Sequence, residues 1–135
     1  MDRDQVIALL RRYFAGRQDL VAAYLFGSVA RGEARATSDI DVGILLRKGK
    51  PRELADFDPV FAIQADLERE FRRKVDVVSM NGAPADLLHR ILRDGIVVHD
   101  QDHRRRVEFE LRTRTEYFDL LPLLQRYRRT VLRPR

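Results

Sequence analysis

Two segments decide the fold of this chain: VAAYLFGS at residues 21–28 and SDIDVGILL at residues 38–46. Each contains an apolar run of strand length with small or acidic residues at one end. The first run predicts a β-strand that ends at Gly27-Ser28, and the second predicts a strand that begins after Asp39. The polar residues of both segments are therefore expected at strand ends, where functional side chains often lie.

Asp39 and Asp41 are the first candidate site residues. Successive side chains of a strand point to opposite faces, so these two carboxylates project together while Ile40 points away. Neighbouring carboxylates repel each other unless they share a cation, and Mg²⁺ prefers oxygen ligands. A turn or cap before the strand would explain Asp39, but it explains Asp41 poorly because Asp is depleted in strands. The pair therefore predicts a metal site.

Gly27, Ser28 and Arg31 predict a phosphate-binding site near those carboxylates. A small turn lets backbone N–H groups approach a phosphate closely, and we expect the Ser28 hydroxyl to bind one as well. Arg31 lies three residues further on and could reach a phosphate oxygen, although a solvated loop arginine is the alternative. Ten residues separate Ser28 from Asp39. Together the two features indicate metal-assisted chemistry on a nucleoside triphosphate.

Asp76 is the third carboxylate of the predicted site. It interrupts the apolar run at residues 75–78, where a charge is costly unless it is paired or bound to a metal. If this strand lies beside the one that follows Asp39, Asp76 joins Asp39 and Asp41 in one acidic cluster. Two metal ions about 4 Å apart, held by such a cluster, would stabilise the attacking and leaving oxygens of an in-line phosphoryl transfer. The alternative is an edge-strand carboxylate that faces water.

The remaining pattern predicts helices packed on one sheet. Apolar spacing predicts helices over residues 3–15, 54–71, 84–92 and 102–132. Gly16 is expected to end the first of these helices, and Pro122 is expected to kink the last one. A short helix is predicted within residues 29–36. Strands are predicted over residues 20–26, 40–46, 74–79 and 96–98. This order favours the α/β (α+β) class with a sheet of about four strands.

Composition restricts the class of protein. The chain has 135 residues and no cysteine, which fits one domain and excludes disulfides, thiolate catalysis and Cys-ligated zinc. The charged N-terminus does not resemble a signal peptide, and the apolar runs fall far short of the ~20 residues of a membrane span, so we expect a cytoplasmic protein without a membrane partner. The net charge of +5, mostly from arginine, fits phosphate-bearing ligands or an acidic protein partner, and equally a soluble surface.

The C-terminal segment is an arginine-rich helical tail. It lacks an obvious aromatic stacking platform, so we do not expect direct binding of nucleic acid. Its apolar stripe is expected to pack on the same domain or to dock a partner chain. We therefore divide the chain into a domain at residues 1–101 and a tail at residues 102–135.

The motifs GSVARG at residues 27–32, SDID at residues 38–41 and VDVV at residues 75–78 resemble the minimal nucleotidyltransferases of the DNA polymerase β superfamily. Within that superfamily the chain is most similar to the MNT-domain antitoxins, on the segment ILRDG at residues 91–95 and on FELRT and YFD in the tail. The resemblance covers almost the full length. It implies a nucleotidyltransferase-type mixed sheet packed by helices.

The resemblance also assigns a role to each candidate. Gly27 and Ser28 would hold the triphosphate of ATP, with Arg31 beside them. Asp39 and Asp41 would bind Mg²⁺, and Asp76 would complete the metal site and help to deprotonate the acceptor hydroxyl. These minimal nucleotidyltransferases transfer AMP from ATP with loss of pyrophosphate. The antitoxin branch modifies a tyrosine of its partner, a HEPN-family toxin, and this adenylylation silences the toxin's RNase activity.

Two other functions remain open. A small-molecule nucleotidyltransferase of the aminoglycoside type would use the same catalytic residues, but such enzymes usually need additional substrate-binding structure. A second alternative is an antitoxin that neutralises its toxin by binding alone, through the apolar and arginine-rich tail.

Overall fold

A computed structural model describes residues 1–48 and 59–132 of the chain. Five helices and four strands lie within these residues, in the order α1 (Arg3–Phe14), β1 (Leu20–Phe26), α2 (Gly27–Ala30), β2 (Ile40–Leu46), α3 (Pro59–Phe71), β3 (Val75–Ser79), α4 (Ala85–Asp94), β4 (Ile96–Asp100) and α5 (His103–Leu132). The α/β (α+β) class and the long C-terminal helix that the sequence predicts are confirmed.

The four strands form one mixed sheet in the order β3-β2-β1-β4. β1 pairs antiparallel with β2 and with β4, whereas β2 pairs parallel with β3. A parallel pair needs a crossover connection, and the chain between β2 and β3 supplies α3 for it. The predicted mixed sheet of about four strands is confirmed, and β3 is one of its two edges.

A different pair of helices covers each face of the sheet. On one face, here called the α1/α3 face, Leu10 and Leu67 pack against alternate strand residues such as Ile44. On the opposite face, called the α4/α5 face, Ile91 of α4 packs against the intervening strand residues, including Tyr24. Alternation of side chains along each strand thus separates two apolar cores.

Polar contacts and ring stacking attach α5 to the α4/α5 face. Tyr24 is 1% exposed, and its hydroxyl donates a hydrogen bond of 2.8 Å to the Glu110 carboxylate. Burial and this hydrogen bond raise the pKa of Tyr24. Further along α5, Tyr117 stacks on His89 of α4 with ring centroids 3.8 Å apart. In the described parts of the chain, no helix combines the length and apolar character needed to cross a membrane.

Two predicted helices have different bounds in the structure. The short helix predicted within residues 29–36 is instead α2, which begins at Gly27 because the positive φ of that glycine turns the chain directly from β1 into a helix. The third predicted helix begins at residue 54, but residues 49–58 lie outside the described residues. Its described part begins at Pro59, and α5 continues on both sides of Pro122.

Candidate active site

Asp41 and Asp76 lie together at one end of the sheet. Asp41 is the second residue of β2 and is the register partner of Phe26 in β1 and of Asp76 in β3. Direct partners on neighbouring strands project to the same face, here the α4/α5 face. Asp76 is exposed and lies on an edge strand, so it both faces water and stands beside a second carboxylate. The structure therefore pairs two of the three predicted carboxylates.

Gly27 lies directly against Asp41. Its φ of +73° is in the left-handed region, and a Cβ at this position would come within 2.2 Å of Oδ2 of Asp41. Glycine satisfies both constraints because it has no side chain. Gly27, which the sequence predicts to bind phosphate, therefore contacts Asp41, which the sequence predicts to bind a metal.

Ser28 is the second residue of α2, immediately after this contact. Its side chain is partly buried, and its carbonyl oxygen accepts a hydrogen bond of 2.9 Å from the N–H of Glu33. The first N–H groups of any helix have no acceptor within that helix. Because Gly27 lies against Asp41, the start of α2, which includes Ser28, adjoins that carboxylate.

The charge of Asp41 is unfavourable in the metal-free protein. Partial burial, then Asp76 and then Asp39 raise the pKa of Asp41, while Arg31 acts in the opposite direction. A bound cation would relieve this repulsion, and carboxylate oxygens are the ligands that Mg²⁺ prefers. The residues present therefore fit a magnesium site.

Asp39 precedes β2 and has a different environment. Its Oδ2 lies 3.6 Å from Nζ of Lys74, the residue that precedes β3. In residues 1–48 and 59–132, no three acidic or histidine side chains are grouped so that they could hold a metal ion. Asp39 affects Asp41 through its charge. A cation shared by the carboxylates would have to draw Asp39 away from Lys74.

Arg31 lies at the border between α2 and the end of α4. Its guanidinium forms ion pairs of 3.0 Å with Glu33 and 3.5 Å with Asp94. Asp94 also pairs with Arg93 at 3.0 Å, and chiefly this second arginine lowers the pKa of Asp94. Arg31 is exposed, so its guanidinium can exchange these carboxylates for a phosphate without leaving a buried charge unpaired.

Sequence reasoning missed two groups next to the predicted residues. Asp94 is 63 residues from Arg31, and no periodicity or motif connects them. Lys74 does have a signal, because Lys74 and Asp39 each immediately precede one of two parallel strands that pair from Ile40 and Val75 onward. Residues that precede such strands lie side by side, so this ion pair follows once the parallel pairing is known.

Comparison with known proteins identifies the family. The profile of the family described as polymerase beta, nucleotidyltransferase matches residues 9–104, which include Gly27 and all three carboxylates. The chain belongs to the polymerase β family of nucleotidyltransferases. It is 37% identical over 76 residues to a proposed protein adenylyltransferase of Methanocaldococcus jannaschii, and the alignment covers 56% of this chain and 76% of that protein. The predictions of the family and of a nucleotidyltransferase are confirmed.

Solved structures share the fold over nearly the whole chain. A chain from a toxin–antitoxin complex with AMP-PNP is 23% identical with a TM-score of 0.67, and the match covers 98% of this chain and 96% of that one. A chain from the complex of a tri-AMPylated Shewanella oneidensis HEPN toxin with an MNT antitoxin is 22% identical with a TM-score of 0.58, over 96% and 92% of the two chains.

Proposed function

We propose that this protein is the antitoxin of a HEPN/MNT toxin–antitoxin pair and acts as a Mg²⁺-dependent protein adenylyltransferase. It transfers AMP from ATP to a tyrosine of the partner HEPN RNase and thereby neutralises that toxin. The catalytic carboxylates are Asp39, Asp41 and Asp76. Family membership identifies a nucleotidyltransferase but not the acceptor of the transferred group. The proposal adds that acceptor.

One observation carries the catalytic part of the proposal: Asp41 is in contact with Gly27 on one side and paired with Asp76 on the other. The start of α2, where we place the triphosphate, therefore adjoins the carboxylates, where we place the metal. Such closeness is needed because Asp41 and its neighbouring carboxylates would hold the metal beside the triphosphate, where the metal would supply charge stabilisation. A purely structural role for two adjacent strand carboxylates would lower stability without any compensation.

The three carboxylates would hold two Mg²⁺ ions. When bound, these ions supply charge stabilisation for the attacking and leaving oxygens of the transfer. Asp41 fits this role because its position in the sheet fixes its carboxylate between Gly27 and Asp76. Asp39 fits it because its ion pair with Lys74 is largely exposed and is therefore exchanged at little cost.

The chain's own residues then account for the remaining steps. Backbone N–H groups of Gly27 and Ser28, the Ser28 hydroxyl and the Arg31 guanidinium hold the triphosphate. The tyrosine oxygen attacks the α-phosphorus, a new P–O bond forms, and the bond from the α-phosphorus to the β-phosphate oxygen breaks to release pyrophosphate. Asp76 accepts the hydroxyl proton, for which its exposed position at the sheet edge gives the acceptor access.

Two considerations support a protein acceptor. The relative from Methanocaldococcus jannaschii carries the name of a protein adenylyltransferase, and the structural neighbours include an MNT antitoxin bound to an AMPylated HEPN toxin. In addition, the described residues form one sheet with its covering helices and contain no further substrate-binding unit. We also propose the division into a catalytic domain at residues 1–101 and a helical tail at residues 102–135.

The test is the mass of the HEPN toxin co-expressed with this chain. We expect an added mass of one or more AMP units with the wild type, and an unmodified toxin with the double variant Asp39→Asn, Asp41→Asn. Asp4→Asn is the matched control, because Asp4 is an exposed aspartate of α1, a helix that packs on the face of the sheet opposite the carboxylates. An unmodified toxin in cells that contain the wild-type protein would refute the proposal.

Cells that co-express the toxin with the wild type or with the double variant also distinguish the proposed function from neutralisation by binding alone. If the double variant protects cells as well as the wild type does, neutralisation depends on binding alone. If the purified chain transfers AMP to an aminoglycoside in the absence of any partner protein, the small-molecule function is correct. Circular dichroism of the double variant, which should be unchanged, ensures that a loss of protection reflects lost chemistry.

A further inference from the structure

Asp39 and Asp41 are held by different parts of the protein. Asp41 lies inside β2, so pairing with β1 and β3 fixes its backbone. Asp39 precedes β2 and has no register partner in the sheet. A metal ligand has to be held in a fixed direction, and the groups that contact it supply this constraint. The residues that hold Asp39 therefore bear directly on the metal site.

The turn between α3 and β3 contacts the chain on both sides of Asp39. Nη2 of Arg73 donates a hydrogen bond to the carbonyl oxygen of Ser38. The carbonyl oxygen of Lys74 accepts a hydrogen bond of 3.1 Å from the N–H of Ile40. Because Arg73 and Lys74 are consecutive, one short segment holds both peptide groups that flank Asp39.

Ser38 is well anchored within its own segment. Its hydroxyl accepts a hydrogen bond of 2.8 Å from the N–H of Arg35, and its N–H donates one of 3.0 Å to the Arg35 carbonyl oxygen. These two bonds close a turn over residues 35–38. The contact with Arg73 then ties this turn to the one between α3 and β3, so the residue before Asp39 is fixed from two sides.

The turn between α3 and β3 is not optimised for stability. Arg72 has a positive φ of 52°, which is uncommon outside glycine and costs free energy. Arg73 is partly buried, and among the described residues its Nε is shielded from solvent without a hydrogen-bond partner, which also costs free energy. The placement of the Arg73 guanidinium is therefore better explained by its contact with Ser38 than by a gain in stability.

The side chain of Lys74 acts on Asp39 in a different way. Its Nζ lies 3.6 Å from Oδ2 of Asp39, and it is 74% exposed. Lys74 thus occupies the carboxylate that a cation would need. Arg73 instead contacts the backbone before Asp39 and leaves that carboxylate free.

We propose that Arg73 is a positioning residue of the metal site, which holds Asp39 beside the other carboxylates through the carbonyl group of Ser38. Its neighbour Lys74 is the counter-ion that competes with the metal for Asp39. The inference rests on the proposed function in one respect, namely that Asp39 is a metal ligand. It adds to that function a residue that contacts neither the metal nor the substrate.

The sign of the effect separates positioning from electrostatics. A positive charge near a cation site opposes the binding of the cation. On charge alone, removal of either Arg73 or Lys74 should therefore strengthen metal binding. Positioning predicts the opposite sign for Arg73, so two consecutive residues of the same charge should have opposite effects.

Titration of the purified full chain with Mn²⁺, followed by the paramagnetic resonance of the free ion, measures these effects. Mn²⁺ takes the same oxygen ligands as Mg²⁺. We expect Arg73→Met to weaken binding by about 10–100-fold. Lys74→Met should strengthen it by about 2–5-fold, because the ion pair is largely exposed. Arg69→Met is the matched control: Arg69 is 76% exposed on α3, and binding should stay within about twofold of the wild type.

Two further variants distinguish positioning from general damage to the fold. Arg73→Lys keeps a charged donor for the Ser38 carbonyl and should recover part of the lost affinity. In an Asp39→Asn background, Arg73→Met should have little further effect on the weaker binding that remains, because it acts through Asp39. A merely structural role would weaken binding in both backgrounds and would also lower the melting temperature in proportion.

Unchanged or stronger Mn²⁺ binding by Arg73→Met would overturn the inference, and so would an equal loss in both backgrounds. The titration needs neither ATP nor toxin, so it does not depend on the acceptor. A wild type that binds no Mn²⁺ would refute the metal site of the proposed function together with this inference. Opposite shifts at Arg73 and Lys74, in a protein that transfers no AMP to the toxin, would support the inference and refute the proposed function.

Discussion

The two faces of the sheet differ in what their residues do. The α1/α3 face is apolar from end to end, and its strand residues pack against two helices. The α4/α5 face is apolar only in part. At one end it carries Asp41 and Asp76, and near its centre the buried hydroxyl of Tyr24 needs Glu110 as a partner. The strands are the same, so alternation alone places a continuous core on one face and a charged site on the other.

This difference indicates how the protein tolerates an unfavourable site. Partial burial of Asp41 and then the charge of the neighbouring carboxylates reduce stability, and the raised pKa of Asp41 reflects that cost. The α1/α3 face buries apolar side chains, and the stability that this burial provides does not depend on these charges. Substitutions on the α1/α3 face should therefore change stability and leave the chemistry intact, whereas substitutions at the site should chiefly change the chemistry and have smaller effects on stability.

The largest expected effect on stability belongs to the α1/α3 face. Leu67→Ala removes a fully buried side chain of α3 and should lower the free energy of unfolding by about 2–5 kcal/mol. Urea titration measures this loss. AMP transfer per folded molecule should be unchanged, and a lower rate at full folding would mean that the two faces are coupled. Phe61→Ala on the exposed side of the same helix should stay within about 0.5 kcal/mol of the wild type.

Gly27→Ala should have a smaller effect on stability and a large effect on activity. The positive φ costs an alanine about 1–2 kcal/mol, and its Cβ would also displace the Asp41 carboxylate. Gly16→Ala is a matched control, since Gly16 has a φ of +78° but no atom within 4 Å of the position of a Cβ. Thermal melts should show a loss of stability for both variants, and the loss should be larger for Gly27→Ala because its Cβ also displaces the Asp41 carboxylate. Only Gly27→Ala should reduce AMP transfer, and an equal reduction by both would contradict the assigned contact.

The smallest expected effect is a gain in stability. Asp41→Asn removes a like-charge pair across two strands and should stabilise the metal-free protein at neutral pH by about 0.2–1 kcal/mol. Because burial and the neighbouring carboxylates raise the pKa of Asp41 in the folded protein, its destabilising effect begins as pH rises through the unfolded value of about 3.9 and is complete above the raised pKa. The gain should therefore vanish at a pH below about 3.9, where the carboxyl is protonated in both states.

Magnesium should reverse this order of stabilities. A cation that binds only the folded wild type stabilises it by mass action, by about 2.7 kcal/mol at a concentration 100 times the dissociation constant. Asp41→Asn lacks a ligand and should gain much less. Thermal melts at increasing Mg²⁺ concentration measure both, and an equal response of the two proteins would contradict a metal site at Asp41.

The sequence predicts the elements of this fold better than their contacts. Apolar runs and spacing identify the four strands of the described residues, and they place Asp41 inside the second of them. The pairing of Asp41 with Asp76 depends on a parallel crossover through α3. A single sequence predicts this pairing only on the condition that the two strands are neighbours in the sheet. Contacts such as that of Arg31 with Asp94 arise from packing between distant segments, so no local pattern encodes them.

The roles of the site residues stay predictions, and Asp76 is the sharpest case. The sequence leaves open whether this residue faces water at an edge or belongs to the site, and the structure shows an exposed edge-strand carboxylate that is also the register partner of Asp41. Because it is exposed, Asp76→Asn should fold normally. A loss of activity in this variant would therefore reflect lost chemistry and not a damaged fold.

The most direct test is the rate at which the purified protein transfers label from ATP, labelled at the α-phosphorus, to the HEPN toxin in the presence of Mg²⁺. We predict rapid labelling by the wild type and a rate lower by about 10²–10⁴-fold for Asp76→Asn, with the melting temperature preserved, because the variant lacks the group that accepts the acceptor's proton. Equal rates for the two proteins would show that Asp76 is a surface residue and would contradict the three-carboxylate site.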